Sequence, residues 1–161
     1  MIRAIFLDVD GTLISFSTHE IPASALRALA QAHERGVRLF IATGRAANDL
    51  GPLEGIPYDG VVSLNGARCV ASDGRVVSLH PIPRADFERA LALSEEQGFA
   101  MGLELEEGVF VNRVTPDVER VAHMVAHPVP EQTDLRELFG RVECCQLCFY
   151  FDAQTQRRVM A

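Results

Sequence analysis

Two aspartates separated by one residue, Asp8 and Asp10, follow directly after the apolar run of residues 4–7. A continuous apolar run that ends abruptly in a polar loop is typical of a buried parallel strand. Ligands of open α/β sheets bind outside the carboxyl ends of such strands, so both carboxylates are predicted to face a crevice. Two ionised carboxylates this close repel each other unless a cation lies between them, and their hard oxygens favour Mg²⁺. The spacing therefore predicts a magnesium site.

The residues around this acidic pair favour an anion site as well. Gly11 permits a sharp turn, and Thr12 offers a hydroxyl and an N–H group to an anion. The alternative is a plain turn, because Asp-Gly is a common turn pair. A second apolar run, residues 37–42, weakens that alternative because it ends in Thr43-Gly44-Arg45, whose hydroxyl, small backbone and cation suit a phosphate.

The elements that must position these loops alternate between strand and helix in the first half of the chain. Strands are predicted at residues 4–7, 37–42 and 60–64, and helices at residues 22–35 and from Arg45 to about Leu50. The βαβαβ order implies an α/β fold with a doubly wound parallel sheet. Residues 68–71 and 75–79 then flank Ser72-Asp73-Gly74, which predicts a β-hairpin.

The second half reads as an α+β module. We predict helices at residues 85–97 and 135–139, a helix that begins at Thr115-Pro116, strands at 101–105, 109–113 and 142–151, and the first turns of a helix at 152–161. The predicted division is residues 1–79, including the hairpin from about residue 66, and residues 80–161.

Composition restricts the class of protein. The 161 residues carry a net charge of −7, which argues against a non-specific nucleic-acid binder and favours a small-molecule partner. No apolar run reaches the roughly 18 residues that span a bilayer, and the amino terminus does not resemble a signal peptide. We therefore expect a cytoplasmic protein that binds neither nucleic acid nor membrane.

Three of the four cysteines are close together, at Cys144, Cys145 and Cys148, and the fourth is Cys69. A zinc site would require a second Cys or His pair at ligand spacing, and none is evident. Buried, reduced thiols in a strand are the better interpretation.

The motifs resemble those of the haloacid dehalogenase superfamily. Asp8-Val9-Asp10-Gly11-Thr12 is similar to its first motif in the phosphatase form, and Thr43-Gly44-Arg45 resembles the second. The segment 62–67 followed by a hairpin resembles the start of the α/β cap that is inserted in Cof-type phosphatases. The resemblance implies a partial Rossmann-like core in residues 1–79 and an inserted, incomplete cap in residues 80–161.

The resemblance also implies roles for residues. Asp8 would attack phosphorus and form an aspartyl-phosphate, and Asp10 would act as general acid and base. Mg²⁺ would be held by the Asp8 side chain and the Asp10 carbonyl. The substrate phosphate would be bound by Thr12, Thr43, Gly44, Arg45 and Asn65. For Arg45, a surface salt bridge is an open alternative.

Two motifs of the family have no counterpart in these 161 residues. The family uses a third-motif lysine and a fourth-motif Gly-Asp, whereas this chain contains no lysine and no Gly-Asp pair. We expect a truncated product of a longer phosphatase, with little turnover on its own and with self-association through exposed core surface.

Several alternatives stay open. A sugar phosphomutase of the same superfamily would transfer the phosphoryl group to a sugar rather than to water. A non-catalytic remnant that binds a phosphate ligand or a protein is the alternative outside the enzyme class. A dinucleotide-binding fold is disfavoured, because no G-x-G-x-x-G follows the first strand. Four residues of the second half, Glu104, Glu106, Asn112 and Arg113, are candidates for the substrate crevice, although solvated hairpin side chains are the simpler interpretation.

Overall fold

The computed structural model describes residues 2–15, 17–18, 20–53, 55–125 and 127–160. The chain consists of two compact units, residues 1–80 and 81–161, and the division predicted from the sequence falls between residues 79 and 80. Each unit has its own sheet and its own core. None of the helices in the described ranges combines the length and the apolar character needed to cross a membrane.

The first unit contains a five-stranded sheet. Its strands, in spatial and chain order, are β1 (Ala4–Leu7), β2 (Arg38–Ala42), β3 (Gly60–Ser63), β4 (Arg68–Ala71) and β5 (Val76–Leu79). β1, β2 and β3 run parallel, whereas β4 and β5 are antiparallel neighbours. The predicted α/β class, with parallel strands followed by a hairpin, is confirmed.

The register brings the ends of the parallel strands together. Leu7 lies beside Ile41, and Ile41 lies beside Val61. The residues that follow β1 and β2 therefore leave the sheet at the same edge. Helix α1 (Ala23–Glu34) crosses between these strands and buries Leu29, and it ends before Gly36, whose φ of 81° is left-handed.

The core of the first unit forms around β2. Leu39 and Ile41 are fully buried, and Val9 and Leu53 are 1% exposed. In contrast, Phe6 on β1 is 61% exposed and stacks on Phe40 with ring centroids 4.9 Å apart. β1 is the terminal strand of the sheet, and no other strand in the described part of the chain pairs with its outer edge. Self-association through this surface stays a prediction.

One predicted element of the first unit is wrong. The segment from Arg45 to Leu50 forms turns rather than a helix, and a single 3₁₀ turn follows at Gly51–Leu53. In a helix the carbonyl oxygen of Arg45 would accept from the N–H of Asp49. Here it accepts from Leu64 N at 3.1 Å, and Asp49 N donates to Ala46 O instead.

The second unit contains a four-stranded sheet in the order β8-β7-β6-β9. Its strands are β6 (Ala100–Leu105), β7 (Gly108–Val111), β8 (Glu131–Gln132) and β9 (Gln146–Tyr150). Its helices are α2 (Arg84–Gln97), α3 (Pro116–Met124), α4 (Leu135–Phe139) and α5 (Ala153–Val159). The short strand β8 was not predicted, and the cysteine-bearing strand is shorter than predicted. Ala161, the end of the last predicted helix, lies outside the described residues.

Both faces of the second sheet carry apolar clusters. Met101 and Leu103 of β6 pack with Phe87 and Leu91 of α2 on one face. Ala100, Val111, Val118 and Tyr150 form the cluster on the other. The predicted cap of α3 is confirmed, since the Thr115 side chain accepts from the backbone N–H of Val118 at 3.4 Å.

The cysteines are free thiols in partly or fully buried positions. Cys144 is 1% exposed, and Cys69, Cys145 and Cys148 are half-buried. Burial raises the pKa of the Cys144 thiol to about 11 and that of the Cys148 thiol to about 12. Both thiols are therefore protonated at neutral pH, in keeping with inert structural cysteines.

Candidate active site

The loop after β1 is a closed turn that points two carboxylates outward. Its backbone is fastened by hydrogen bonds from Ile14 N to Val9 O and from Gly11 N to Ile14 O, both of 2.9 Å. Gly11 has a φ of 80°, a left-handed conformation that favours glycine. The turn buries Val9 and leaves Asp8 and Asp10 exposed. The turn therefore contributes Val9 to the core and presents the carboxylates of Asp8 and Asp10 at the surface.

Asp8 is held in place by one neighbour within the turn. The Thr12 hydroxyl donates to Asp8 Oδ2 at 2.8 Å. Among the described residues, no group donates a hydrogen bond to the other carboxylate oxygen, Oδ1. That oxygen is at the end of β1 and available as a ligand or nucleophile.

Asp10 is paired with a residue from the loop after β2. Arg45 donates from Nε to Asp10 Oδ2 at 2.9 Å and from Nη2 to Asp10 Oδ1 at 2.8 Å. This two-pronged geometry matches a planar guanidinium to a planar carboxylate. The hydrogen bonds, and then the charge of Arg45, hold the pKa of Asp10 below its ordinary value, while partial burial opposes them. The same pairing raises the pKa of Arg45.

A second carboxylate holds the other side of the Arg45 guanidinium. Arg45 Nη1 donates to the Asp49 carbonyl oxygen at 3.2 Å and lies 3.4 Å from Asp49 Oδ2. The open alternative of a salt bridge for Arg45 is thus what the structure contains, and its contact with phosphate stays a prediction. The sequence reasoning missed Asp49, although its spacing of four residues from Arg45 is that of a common ion pair.

Thr43 lies at the base of the loop after β2. It is 6% exposed, and its hydroxyl accepts from the backbone N–H of Arg45 at 3.2 Å. Its own N–H donates to Val62 O at 2.9 Å, and its carbonyl oxygen accepts from Asn65 N at 3.1 Å. The loops after β2 and β3 are therefore bonded to each other directly.

The turn that carries Asn65 has an uncommon backbone. Leu64 and Asn65 have φ values of 49° and 53°, a left-handed conformation that is rare for a bulky residue such as leucine. A Cβ atom on Gly44 would lie 3.2 Å from Asn65 Oδ1 and 3.3 Å from Asn65 Nδ2. Only a residue without a side chain fits at position 44 while Asn65 keeps this place.

An open hollow of about 310 Å³ collects most of the predicted site residues. It is lined by Asp8, Ala42, Thr43, Gly44, Val62, Asn65 and Gly66. Thr12, Asp10 and Arg45 do not line it; Thr12 and Arg45 reach it through their bonds to Asp8 and to Thr43. A larger hollow of about 590 Å³ in the same unit contains none of the predicted site residues.

Two of the second-unit candidates are engaged within their own sheet. Asn112 Oδ1 accepts from Met101 N at 2.9 Å, and its amide donates to Ser94 Oγ at 3.1 Å. Glu104 accepts from the Gln146 side chain and from Cys148 Sγ. Asn112 is thus a structural residue, and a role for any of the four candidates in substrate binding stays a prediction.

The donors at the acidic turn suit a magnesium ion. Asp8 Oδ1 is unpaired within the described chain, and neither the N–H nor the carbonyl of Asp10 takes part in the bonds that close the turn. Mg²⁺ prefers such hard oxygens and usually retains waters beside one or two protein ligands. The residues between 2 and 160 that the structure describes include no group of three or more acidic, His or Cys side chains at metal-binding spacing. The available donors would therefore suit a Mg²⁺ ion that is held by few protein ligands and otherwise by water.

Comparison with known proteins finds phosphatases that share this fold. The phosphatase BT1666 from Bacteroides thetaiotaomicron is 53% identical, with a TM-score of 0.93 over 99% of this chain and 60% of that chain. The sugar phosphatase BT4131, of haloacid dehalogenase subclass IIB, is 28% identical, with a TM-score of 0.83 over 98% of this chain and 62% of that chain. The HMP-PP phosphatase of Shigella flexneri serotype 5b (strain 8401) is 28% identical over 75% of this chain and 45% of its own length.

The chain thus spans less than half the length of that curated relative and about 60% of the two solved structures. The family model of the haloacid dehalogenase-like hydrolases matches residues 5–160, which include both strand-end loops of the site. The chain belongs to the haloacid dehalogenase-like hydrolase family.

Proposed function

We propose that this protein is a Mg²⁺-dependent phosphomonoester hydrolase that acts through an aspartyl-phosphate on Asp8. The observation that carries the proposal is the shared hollow at the ends of three neighbouring strands. This hollow is lined by Asp8, Thr43, Gly44 and Asn65, among other residues. An acidic nucleophile beside neutral hydrogen-bonding groups suits phosphoryl transfer.

In the first step, Asp8 Oδ1 attacks phosphorus and the bond from phosphorus to the ester oxygen breaks. Asp10 lies two residues further along the same turn, and its protonated form, no longer paired with Arg45, would give a proton to the departing alkoxide. In the second step, Asp10 takes a proton from a water molecule, which attacks phosphorus and releases Asp8 and inorganic phosphate. The bound ion would be held by the Asp8 side chain and the Asp10 carbonyl, and it supplies positive charge that offsets the repulsion between carboxylate and phosphate.

The phosphoryl oxygens would be bound by groups that the fold already holds in position. Thr43 is buried and bonded through its N–H, its carbonyl and its hydroxyl, so its hydroxyl loses little freedom when a phosphate binds. Gly44 lets a phosphate approach the backbone closely, Asn65 lines the same space, and Thr12 is bonded to Asp8 at its edge. Preorganised donors of this kind stabilise the charge of the transition state without reorganisation.

A small phosphorylated metabolite is the proposed substrate class. The similar proteins include a sugar phosphatase and an HMP-PP phosphatase, both of which act on small phosphorylated compounds. The net charge of −7 offers no general attraction to a polyanion such as a nucleic acid. We therefore expect a sugar phosphate or a metabolite of similar size.

The experiment is a phosphate-release assay on the complete gene product with Mg²⁺ and a panel of small phosphate esters. Asp8→Asn keeps the shape of the nucleophile and removes its charge, so turnover should fall by at least about a thousandfold. Asp73→Asn, in the exposed turn between β4 and β5, is the matched control and should retain full activity. Acid-quenched samples should carry one phosphoryl group on the peptide that contains Asp8, and turnover that persists in Asp8→Asn would refute the proposal.

A further inference from the structure

The two carboxylates of the acidic turn have different hydrogen-bond partners. Asp10 is bonded through both oxygens to the Arg45 guanidinium, at 2.8 and 2.9 Å. Asp8 receives one bond, from the Thr12 hydroxyl to Oδ2 at 2.8 Å, and its Oδ1 has no donor among the residues that the structure describes. Asp8 is therefore held at one atom by a neutral group, whereas Asp10 is held at both atoms by a cation.

Thr12 is itself fixed by the turn. Its N–H donates to Val9 O at 3.3 Å, and the next residue, Leu13, is buried and donates to the same carbonyl at 3.0 Å. A threonine side chain has two heavy atoms on Cβ, which restrict its first torsion angle. The hydroxyl that meets Asp8 is therefore carried by a short, stiff side chain on a hydrogen-bonded backbone.

Both hydrogen-bond donors of Thr12 are already used. A threonine hydroxyl has a single proton, which here goes to Asp8 Oδ2, and the backbone N–H goes to Val9 O. The lone pairs that remain on the hydroxyl repel the anionic oxygens of a phosphate. In this arrangement Thr12 binds Asp8 and has no donor left for a phosphate, in contrast to the role that the family resemblance implies.

A single bond to Oδ2 is enough to orient the Asp8 carboxylate. The last torsion angle of an aspartate side chain has a broad, roughly two-fold distribution, so an unbonded carboxylate exchanges its two oxygens readily. The bond restricts this rotation and leaves Oδ1 as the unbonded atom. A neutral donor also makes a weaker hydrogen bond to a carboxylate than a guanidinium does, so Asp8 keeps more of its nucleophilic character than Asp10.

We infer that Thr12 is a positioning residue that holds Asp8 Oδ2 and so presents Oδ1 as the atom that attacks phosphorus. This role rests on the proposed function, in which Asp8 is the nucleophile. The alternative is that Thr12 binds the substrate phosphate. The two roles differ in which step of the reaction depends on the hydroxyl.

Thr12→Val removes the hydroxyl and keeps the branched shape of the side chain. In rapid-quench measurements on the complete gene product with Mg²⁺ and p-nitrophenyl phosphate, phosphorylation of Asp8 should slow about tenfold, because the carboxylate is no longer oriented. Hydrolysis of the phosphoenzyme, in which Asp8 is the leaving group, should change less than about twofold, and so should the inhibition constant of inorganic phosphate. A hydroxyl that bound phosphate would instead raise that constant and slow both steps.

Two further variants complete the test. Thr12→Ser restores the hydroxyl, so the rate of phosphorylation should return to within about threefold of the wild type. Thr133→Val is the matched control, because it makes the same chemical change between β8 and α4, in the other unit. It should leave phosphorylation and phosphate inhibition unaffected, and thermal melting of each variant checks that the fold is intact.

Three results would overturn the inference. They are wild-type phosphorylation in Thr12→Val, a Thr12→Ser variant as slow as Thr12→Val, and several-fold weaker inhibition of Thr12→Val by phosphate. Should Thr12→Val lose its melting transition, the comparison of Thr12→Ala with Thr12→Ser decides by the same rates. Asp8→Asn separates this inference from the proposed function, because an inactive Asp8→Asn with a fully active Thr12→Val rejects the positioning role alone.

Discussion

The backbone N–H of Asn65 donates to the carbonyl oxygen of Thr43 at 3.1 Å, which bonds the turn after β3 to the loop after β2. A second bond of the same length runs from Leu64 N to Arg45 O. These two bonds hold Leu64 and Asn65 in left-handed backbone conformations, with φ values of 49° and 53°. The place of the Asn65 side chain is thus set by strained backbone that its neighbours enforce.

Replacing Asn65 separates the backbone strain from the side chain. Asn65→Gly accepts the left-handed φ without cost but removes the amide, so it should melt within about 2 °C of the wild type and still lose turnover. Asn65→Ala removes the same amide and adds steric strain of about 1 kcal/mol, so its melting temperature should fall by several degrees. Phosphate release and thermal melting of both variants test this. Wild-type turnover in Asn65→Gly would remove Asn65 from the proposed phosphate site.

Gly44 provides an independent probe of the same contact. A methyl group at this position would meet the Asn65 amide at 3.2 to 3.3 Å, so the Asn65 side chain must move by a few tenths of an ångström. Gly44→Ala should therefore raise KM for a phosphate ester several-fold while the melting temperature changes little. Gly51→Ala is the matched control, because a Cβ at Gly51 has no atom within 4 Å. Equal KM values for the two variants would contradict the crowding argument.

The sequence predicted the parts of this site that depend on chain topology. The apolar run before Asp8 and the run before Thr43 each indicate a buried strand, and parallel neighbours must end at one edge of the sheet. That rule is enough to bring Asp8 and Thr43 together without any knowledge of side-chain contacts.

The parts that the sequence did not predict depend on side-chain direction and on long-range pairing. The hydrogen bond from Arg45 to Asp10 joins residues that are 35 positions apart in the chain. The Arg45 side chain also contacts Asp49. The predicted helix is absent because the Arg45 carbonyl accepts from the N–H of Leu64, a residue from the turn after β3. Strand β8 is two polar residues long, so no apolar alternation indicates it, and only pairing with β7 makes it a strand.

The pairing of Asp10 with Arg45 should make stability depend on pH. Because the pKa of folded Asp10 is lowered, its charged form stabilises the fold above the ordinary aspartate pKa of about 3.9, and this contribution is lost as pH falls through the folded-state pKa. Arg45→Gln should cost about 0.5 kcal/mol at pH 7, a small value because the pair is partly exposed, and less near pH 3. Urea unfolding at both pH values measures the difference. Arg75→Gln, in an exposed pair with Asp73, is the control, and a cost that does not shrink near pH 3 would contradict the assignment.

The thiols of Cys144 and Cys148 should resist alkylation in the folded protein. Their pKa values, raised by burial to about 11 and about 12, leave almost no thiolate at pH 8, whereas an unfolded thiol with a pKa of about 8.5 is partly ionised. By the same linkage, stability should decrease as pH rises above about 8.5, where only the unfolded thiols ionise. Peptide mapping after iodoacetamide treatment, with and without guanidinium, reads out each cysteine. Rapid native labelling of Cys144 would show that this part of the core opens readily.

Asn112 should stabilise the second unit. Its side chain accepts from Met101 N at 2.9 Å and donates to Ser94 Oγ at 3.1 Å, and Ser94 Oγ donates in turn to Phe99 O at 2.7 Å. Ser94 is fully buried, so Asn112→Ala leaves polar groups without partners, at a cost of about 1 to 3 kcal/mol.

Hydrogen exchange locates this loss more sharply than global unfolding, because the amide of Met101 loses its acceptor in Asn112→Ala and should exchange about ten- to a hundredfold faster. Asn48→Ala, an exposed asparagine of the first unit, should leave that amide protected. Ser94→Ala combined with Asn112→Ala should cost less than the sum of the two, since both belong to one network. An unchanged Met101 exchange rate in Asn112→Ala would return Asn112 to the candidates for substrate binding, because a side chain that stabilises nothing is free to contact a ligand.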